Sequence, residues 1–366
     1  MLAANPIVGL AVLLLSYLGV RLTITLAHRF DVYDISNERS SHQGKTPRGG
    51  GAVIVVLTLT GLFVSALLDA SPFPAYLAGY LCSALCIAVI SLVDDLRPLP
   101  SVLRLAGHVA MALVSVYFSG YPTEIEFTAQ FVLPIGYFGI LLAVIWIVGV
   151  TNIYNFMDGI DGIAGAQAVI AAVGWILIGR HIGSELVQGA GLLLAASSLG
   201  FLLHNWSPAK IFMGDVGSAF LGFSFAQLPF LAIHSRTIDH SFSLLVLCGA
   251  LLLWPFLLDG ATTIVRRALK GENVLKAHRS HAYQRLIIAG KKHGPVATLY
   301  AWLALTGIPL AWICLSRSPF AIYVCLAVLV ALYGAVLFYA RHCEILSARK
   351  RKGGAANDDT NEPVSH

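Results

Sequence analysis

Apolar residues in this chain fall into long runs separated by short polar connectors, and that pattern constrains the fold more than any motif does. Runs bounded by charge, Gly or Pro lie at about 5–27, 51–69, 75–93, 102–119, 137–154, 163–179, 188–204, 217–234, 242–264, 295–315 and 320–340. A helix needs about 20 apolar residues to cross a bilayer, and within hydrocarbon every backbone polar group must be satisfied by the protein itself. Only 12% of the 366 residues are charged and 57% are hydrophobic, whereas a soluble domain carries roughly 25% charged residues. The chain therefore reads as an all-α polytopic membrane protein of about 11 transmembrane helices. A single integral membrane domain covers residues 1–342, with polar loops at 28–50, 94–101, 155–162, 205–216 and 265–294, and no room is left for a separate soluble domain. Residues 343–366 are polar and are expected to form a disordered tail. Between the fourth and fifth runs, YPTEIEFTAQFVLPIG alternates between prolines and predicts a short surface hairpin.

The net charge of +5 is too small for a nucleic-acid binder. Its distribution instead gives orientation. Connectors after odd-numbered runs, with the tail, carry nearly all Lys and Arg, while the even side holds only Arg180, Arg236 and Arg317. By the positive-inside rule the odd side is cytoplasmic, which puts the N-terminus in the periplasm and the C-terminus in the cytoplasm. The first run lacks a basic n-region and is long enough to span, so it reads as a helix and not as a cleaved signal. Five of the six cysteines lie inside apolar runs and Cys343 stands alone, so they are read as small hydrophobes.

Chemistry gathers on the same side. Asp94 and Asp95 follow run three, Asp158 and Asp161 follow run five, Asp215 follows run seven, and His278 and His281 follow run nine. Carboxylates that face one another raise each other's pKa unless a cation compensates, so the grouping predicts a metal or a shared proton.

In SLVDDLRPLP two prolines stop the helix just past the acidic pair. Acids at a helix C-terminus oppose the macrodipole, and neighbours point in different directions, so the two suit separate tasks; a solvated helix end is the plain alternative. In TNIYNFMDGIDGIAG, the three-residue spacing of Asn152, Asn155, Asp158 and Asp161 stacks polar groups on one face. The interleaved glycines permit close approach by a ligand; helix–helix packing would explain those glycines but not the polar groups at the edge of hydrocarbon. HNWSPAKIFMGDVGS places Asp215 at the entry to run eight, beside Asn205 and Phe212. There a carboxylate suits Mg²⁺ while open helix N–H groups face phosphate, or Asp215 and Ser218 simply cap the helix. The basic connector after run nine reads largely as an amphipathic helix on anionic headgroups. Within it His278 and His281 suit phosphate contact better than zinc, because no third ligand stands nearby. SSHQGKTPRGGG, with Lys45, is basic and Gly-rich but is no Walker A sequence. Asp259, near the end of run nine, is expected to pair with Arg266 or Arg267.

SLVDD, NIYNFMDGIDGIAG, NWSPAKIFMGDVGS and HRSH together resemble, in order and spacing, the polyprenyl-phosphate N-acetylhexosamine-1-phosphate transferases, the MraY/WecA family. The resemblance spans about residues 28–293, and HRSHAYQRL with the eleven-run layout is closest to the WbpL/WecA branch that initiates O-antigen synthesis. It implies a multi-pass enzyme of the bacterial inner membrane, active on its cytoplasmic face. Such an enzyme moves an N-acetylhexosamine 1-phosphate from a UDP-sugar to undecaprenyl phosphate, releases UMP and requires Mg²⁺, with Mn²⁺ as a substitute. It further implies UDP-FucNAc, UDP-GlcNAc or UDP-QuiNAc as donor, and a homodimer as one form of the protein.

On this resemblance Asp215 matches the metal-binding aspartate, Asn155 an Asn that shares the metal, and Phe212 an aromatic that stacks on uracil. Asn152, Asp158, Asp161 and Asn205 match positions lining the nucleotide and diphosphate pocket. Asp94 and Asp95 match the catalytic pair beside the acceptor phosphate, while His278, Arg279 and His281 match a loop that contacts diphosphate and sugar. Lys45 matches a basic residue of the first cytoplasmic loop. Two departures stand out: HRSH replaces the HHH of the peptidoglycan branch, and LRPLP after the acidic pair leaves Arg97 or Arg104 to supply the basic partner. The expected step is direct displacement by the lipid phosphate, with Asp94 taking its residual proton; a covalent aspartyl intermediate is the alternative. Other readings are a phospho-MurNAc-pentapeptide transferase of peptidoglycan synthesis and a secondary transporter. An intramembrane aspartyl protease leaves the DGIDG segment unused.

Overall fold

The computed structural model describes residues 4–30, 33–34, 46–69, 72–128, 131–235, 241–272, 279–316 and 320–358. Every apolar run becomes helical: α1 (Pro6–Arg29), α2 (Gly51–Leu67), α3 (Ala75–Leu96), α4 (Ser101–Ser119), α5 (Phe138–Met157), α6 (Ile163–His181), α7 (Glu185–Asn205), α8 (Asp215–Ala232), α9 (Phe242–Leu252), α10 (Trp254–Leu269), α11 (Ala282–Ile288), α12 (His293–Leu315) and α13 (Ala321–Asp358). Run nine is the broken one. It divides into α9 and α10, bent by 86°, with Pro255 in the first turn of α10, where its missing N–H does least harm. The all-α polytopic reading holds. Among the described residues eight helices are long and apolar enough to cross a membrane, or nine with the bent pair. The two runs outside that count are α2, which has 17 residues, and α8, which carries Gln227 and Pro229.

α8 is the axis of the molecule. Every residue from Val216 to Ala232 is buried, and α2, α3 and α5 pack around it. Packing in a bilayer depends on close backbone approach. A Cβ at Gly51 would lie 2.4 Å from the Gly217 Cα, and one at Gly222 would lie 2.9 Å from the Thr151 Cα. The outer faces are apolar and exposed, as Leu10, Leu14, Leu18 and Leu22 of α1 illustrate, which is what a lipid-facing surface requires.

The hairpin expected after run four is present as β3 (Glu124–Thr128) paired antiparallel with β4 (Phe131–Pro134). A second short pair joins β1 (Tyr33–Asp34) to β2 (Thr46–Pro47). The expectation of a disordered tail from residue 343 is corrected as far as Asp358, because α13 runs through Cys343 without a break. The segment EILSARKRK is rich in good helix formers, so polarity there ends the apolar run without ending the helix. Residues 359–366 lie outside the described residues.

Candidate active site

Helix ends build the site. α3 stops at Leu96, ahead of Pro98 and Pro100, and its last turn presents the two adjacent carboxylates in different directions. Asp94 closes the following turn by accepting the Leu99 N–H (2.6 Å) and the Arg104 guanidinium (2.6 Å). Asp95 reaches the head of α8. Its two oxygens accept the N–H groups of Asp215 and Val216, each at 3.0 Å, and Arg48 lies 2.7 Å away. The cap of α8 is thus supplied by another helix, and its charge has the sign the macrodipole favours. Gly214 makes this possible. Its φ of +78° is in the left-handed region, and a Cβ there would meet an Asp95 oxygen at 2.7 Å.

This geometry corrects two expectations. The first N–H groups of α8 are not open toward phosphate: Asp95 takes two of them, and those of Gly217 and Ser218 return to the Gly214 carbonyl. Nor do Asp215 and Ser218 cap the helix. Ser218 donates its hydroxyl to Asn155 Oδ1 (3.3 Å) and to the Gly214 carbonyl (3.2 Å).

Asp215 sits between two cations. Arg48 lies 3.0 Å from one carboxylate oxygen and Arg104 lies 3.2 Å from the other. Arg48 is delivered by backbone pairing, since the Phe212 N–H bonds to the Pro47 carbonyl and the N–H groups of Gly49 and Gly50 bond to the Phe212 carbonyl. The basic Gly-rich segment and FMGD are therefore zipped together at the mouth of α8. Phe212 itself is half-buried.

Around this centre lies more negative charge. Asp158 caps the end of α5. Burial, then the nearby Asp215, push its carboxyl up to about 7, while Arg48 opposes the shift and Asp95 and Asp161 reinforce it. Asp161 moves the other way. Burial would raise it, but His293 at 3.1 Å, the Ala209 N–H at 3.2 Å and the Ser207 hydroxyl hold it below the usual carboxylate range.

The HRSH segment is fastened to the same end of the bundle by Asp259, which is fully buried. Asp259 accepts the N–H groups of Ala282 (2.8 Å) and Tyr283 (3.3 Å) and the Tyr300 hydroxyl (2.5 Å), with His281 Nδ1 at 3.4 Å. The expected pairing of Asp259 with Arg266 or Arg267 is corrected: Arg267 pairs with Glu272 and Arg266 donates to the Ser280 carbonyl. Arg267 shares the buried face of α10 with Asp259 and Thr263 but directs its guanidinium to Glu272, while Arg266 reaches the Ser280 carbonyl. Tyr283 then donates its hydroxyl to the Phe156 carbonyl (3.1 Å), docking α11 onto the DGIDG turn. Gly159 leaves the room, because a Cβ there would lie 2.1 Å from that hydroxyl.

The structure therefore brings together Asp94, Asp95 and Asp215, with Asp158 in electrostatic range and Asn155 beside the first turn of α8. Arg279 and His281 stand on the docked segment, Arg279 half-buried and His281 buried. Two expected pocket residues are spent internally. Asn205 is buried, accepts the Gly162 N–H (3.0 Å) and donates to the Ile211 carbonyl (2.8 Å), so it braces two loops. Asn152 donates to the Val148 carbonyl and lies 3.2 Å from His108 Nδ1. Lys45 and His278 lie outside the described residues. Sequence reasoning singled out neither Arg48 nor His293 nor Tyr283; the signal for Arg48 was its place directly before GGG.

Fold and site together define an integral membrane protein with carboxylates and arginines clustered where polar loops meet the bundle. The description "Glycosyl transferase family 4" belongs to the family model that matches residues 77–234. A Bacillus subtilis (strain 168) protein named "Probable undecaprenyl-phosphate N-acetylglucosaminyl 1-phosphate transferase" is 30% identical over 271 residues, 73% of each chain. A Mycobacterium leprae (strain TN) "Decaprenyl-phosphate N-acetylglucosaminephosphotransferase" is 29% identical over 334 residues, covering 82% of this chain and 81% of its own. A Moorella thermoacetica "Phospho-N-acetylmuramoyl-pentapeptide-transferase" is 35% identical over 218 residues, covering 54% and 64%. The chain belongs to glycosyl transferase family 4 and is a membrane transferase.

Proposed function

We propose that the protein transfers an N-acetylhexosamine 1-phosphate from a UDP-sugar to undecaprenyl phosphate, releasing UMP, as the initiating step of O-antigen or a related surface glycan. The observation that carries this reading is the set of three carboxylates, Asp94, Asp95 and Asp215, bridged by Arg48 and Arg104 where α3, α4 and α8 meet. A polyprenyl tail must stay in hydrocarbon while its phosphate meets a water-soluble donor, and a polar cluster at one end of the bundle suits both. By the charge distribution that end faces the cytoplasm of the inner membrane.

The oxygen donors fit Mg²⁺, which takes one or two protein carboxylates and completes its shell with phosphate and water. Asp215 and Asn155 would hold it, and Asp158, raised first by burial and then by its acidic neighbours, stands in negative charge that a cation relieves. When bound, the ion supplies charge neutralisation on the diphosphate; Mn²⁺ offers the same chemistry. The chain's own groups do the rest. Arg48 and Arg104 stand where negative charge develops on the transferred phosphoryl group. A lipid phosphate oxygen forms the new bond to the β-phosphorus, the bond to the bridging oxygen breaks, and UMP leaves with that oxygen. Asp94 receives the residual proton of the lipid phosphate, whose second pKa near 6 demands little base strength. Asp95, spent on α8, positions Asp215.

The two relatives named for N-acetylglucosamine put UDP-GlcNAc first among donors, ahead of UDP-FucNAc and UDP-QuiNAc; the Moorella relative adds UDP-MurNAc-pentapeptide as the second reading. Purified protein given undecaprenyl phosphate, Mg²⁺ and each donor in turn should release UMP with one of them, only when lipid is present. UMP release that ignores the lipid, or none with any donor, contradicts the proposal. Exchange of labelled UMP into the donor without lipid would replace direct displacement by a covalent intermediate.

A further inference from the structure

Arg266, Arg285 and Arg341 come from three helices, α10, α11 and α13, and line one cavity of about 230 Å³ with Thr262 and Tyr333. Of these residues only Arg266 touches the site above, through the Ser280 carbonyl. Glu344 is the carboxylate the arginines share: Arg285 grips it through two bonds, at 2.7 and 2.8 Å, and the charges of Arg266 and Arg341 also act on it. Three guanidinium groups against Glu344, with the buried Asp259 also acting on Arg285, leave positive charge in excess. Like charges this close are tolerated best when an anion joins them. The remaining wall is uncharged: the Tyr333 and Thr262 hydroxyls meet at 2.6 Å beside Thr263, Ala282 and Leu337.

The cavity's position narrows the anion. It lies where the apolar stretch of α13 gives way to basic residues, and the neighbouring outer surface carries exposed Phe338 and half-exposed Tyr339. An anion with several oxygens suits guanidinium forks, and an exposed apolar surface leading up to it suits acyl chains. We propose that the cavity binds a phosphate group carried by an anionic membrane lipid, joining α13 to α10 and α11. Occupancy bears on the segment above: Arg266 donates to the Ser280 carbonyl, and Ala282, which lines the cavity, is tied to Asp259.

The test is native mass spectrometry of the full chain in neutral detergent, titrated with phosphatidylglycerol or with inorganic phosphate. Arg341 is exposed, so Arg341→Gln is expected to fold normally, and Lys270→Gln, also exposed, removes the same charge elsewhere. Arg341→Gln should weaken phosphatidylglycerol binding roughly tenfold, the loss of one charged hydrogen bond, while Lys270→Gln leaves it unchanged. Glu344→Gln, which removes the competing carboxylate, should tighten it. Arg341-dependent binding of inorganic phosphate without lipid binding would assign the site to free phosphate. No binding of either, or equal binding by all variants, overturns the proposal.

Discussion

Gly159→Ala tests how the HRSH segment is held against the rest of the site. The added methyl would lie 2.1 Å from the Tyr283 hydroxyl and 3.0 Å from its Cζ, so the ring must move by more than an ångström. Tyr283 has little freedom to do so: it is fully buried, its N–H is bound to Asp259, and its ring packs edge-on to Tyr300 and stacks with His281. Overpacking of this kind costs about 1–3 kcal/mol, and losing the Tyr283–Phe156 hydrogen bond adds about 0.5–1.5 kcal/mol. Tyr283→Phe alone loses only that bond. In the double variant the hydroxyl is gone and the nearest ring atom is 3.0 Å away, a contact relieved by a few tenths of an ångström. The double variant should therefore resemble Tyr283→Phe more than Gly159→Ala, with a favourable coupling of about 1–2 kcal/mol. Thermal unfolding in detergent reads stability, and UMP release reads the placement of Arg279 and His281. Additive losses in the double variant would refute the contact and the docking built on it.

Other consequences are as direct. Asp95→Ala leaves two helix N–H groups without their acceptor and removes the Arg48–Asp95 ion pair, so it should lower kcat by more than tenfold by displacing Asp215, with KM for the donor less affected; unchanged kcat would contradict the positioning role. Asp158 has a folded pKa raised to about 7, so the stabilisation from its proton is complete below the ordinary carboxylate range and is lost as pH rises through about 7. Cation-free protein should melt at a lower temperature at pH 8 than at pH 5, and Asp158→Asn should shrink that difference; an undiminished difference would sink the assignment. Glu344→Gln breaks a pair whose acid is more than a third exposed, so it should cost less than about 1 kcal/mol in unfolding measurements.

Much of the fold was legible because each apolar run had to become a helix. The break at Leu253 was not, since Pro255 inside a run marks either a kink or a first turn, and only packing decides. The carboxylates were legible as a group, because parity places their connectors on one face. Their partners were harder to read. In the sequence Arg104 stands only as a substitute for a missing basic residue, and the structure sets it between Asp94 and Asp215. Arg48 is not legible as a site residue, because its delivery depends on pairing with Phe212, more than 160 residues away. The closed head of α8 was equally hidden, since its cap comes from Asp95, 120 residues earlier. Asn205 shows the converse: a polar residue at a motif edge reads as ligand-facing, yet its amide is used up on Gly162 and Ile211.

The central claim is that transfer occurs at the arginine-bridged carboxylates. The most direct measurement compares UMP release from UDP-GlcNAc, or whichever donor proves active, by the wild type and Asp215→Asn with undecaprenyl phosphate and Mg²⁺ present. The account predicts lipid-dependent release by the wild type and loss of nearly all turnover in a variant that still folds. Full turnover by a folded Asp215→Asn would contradict it.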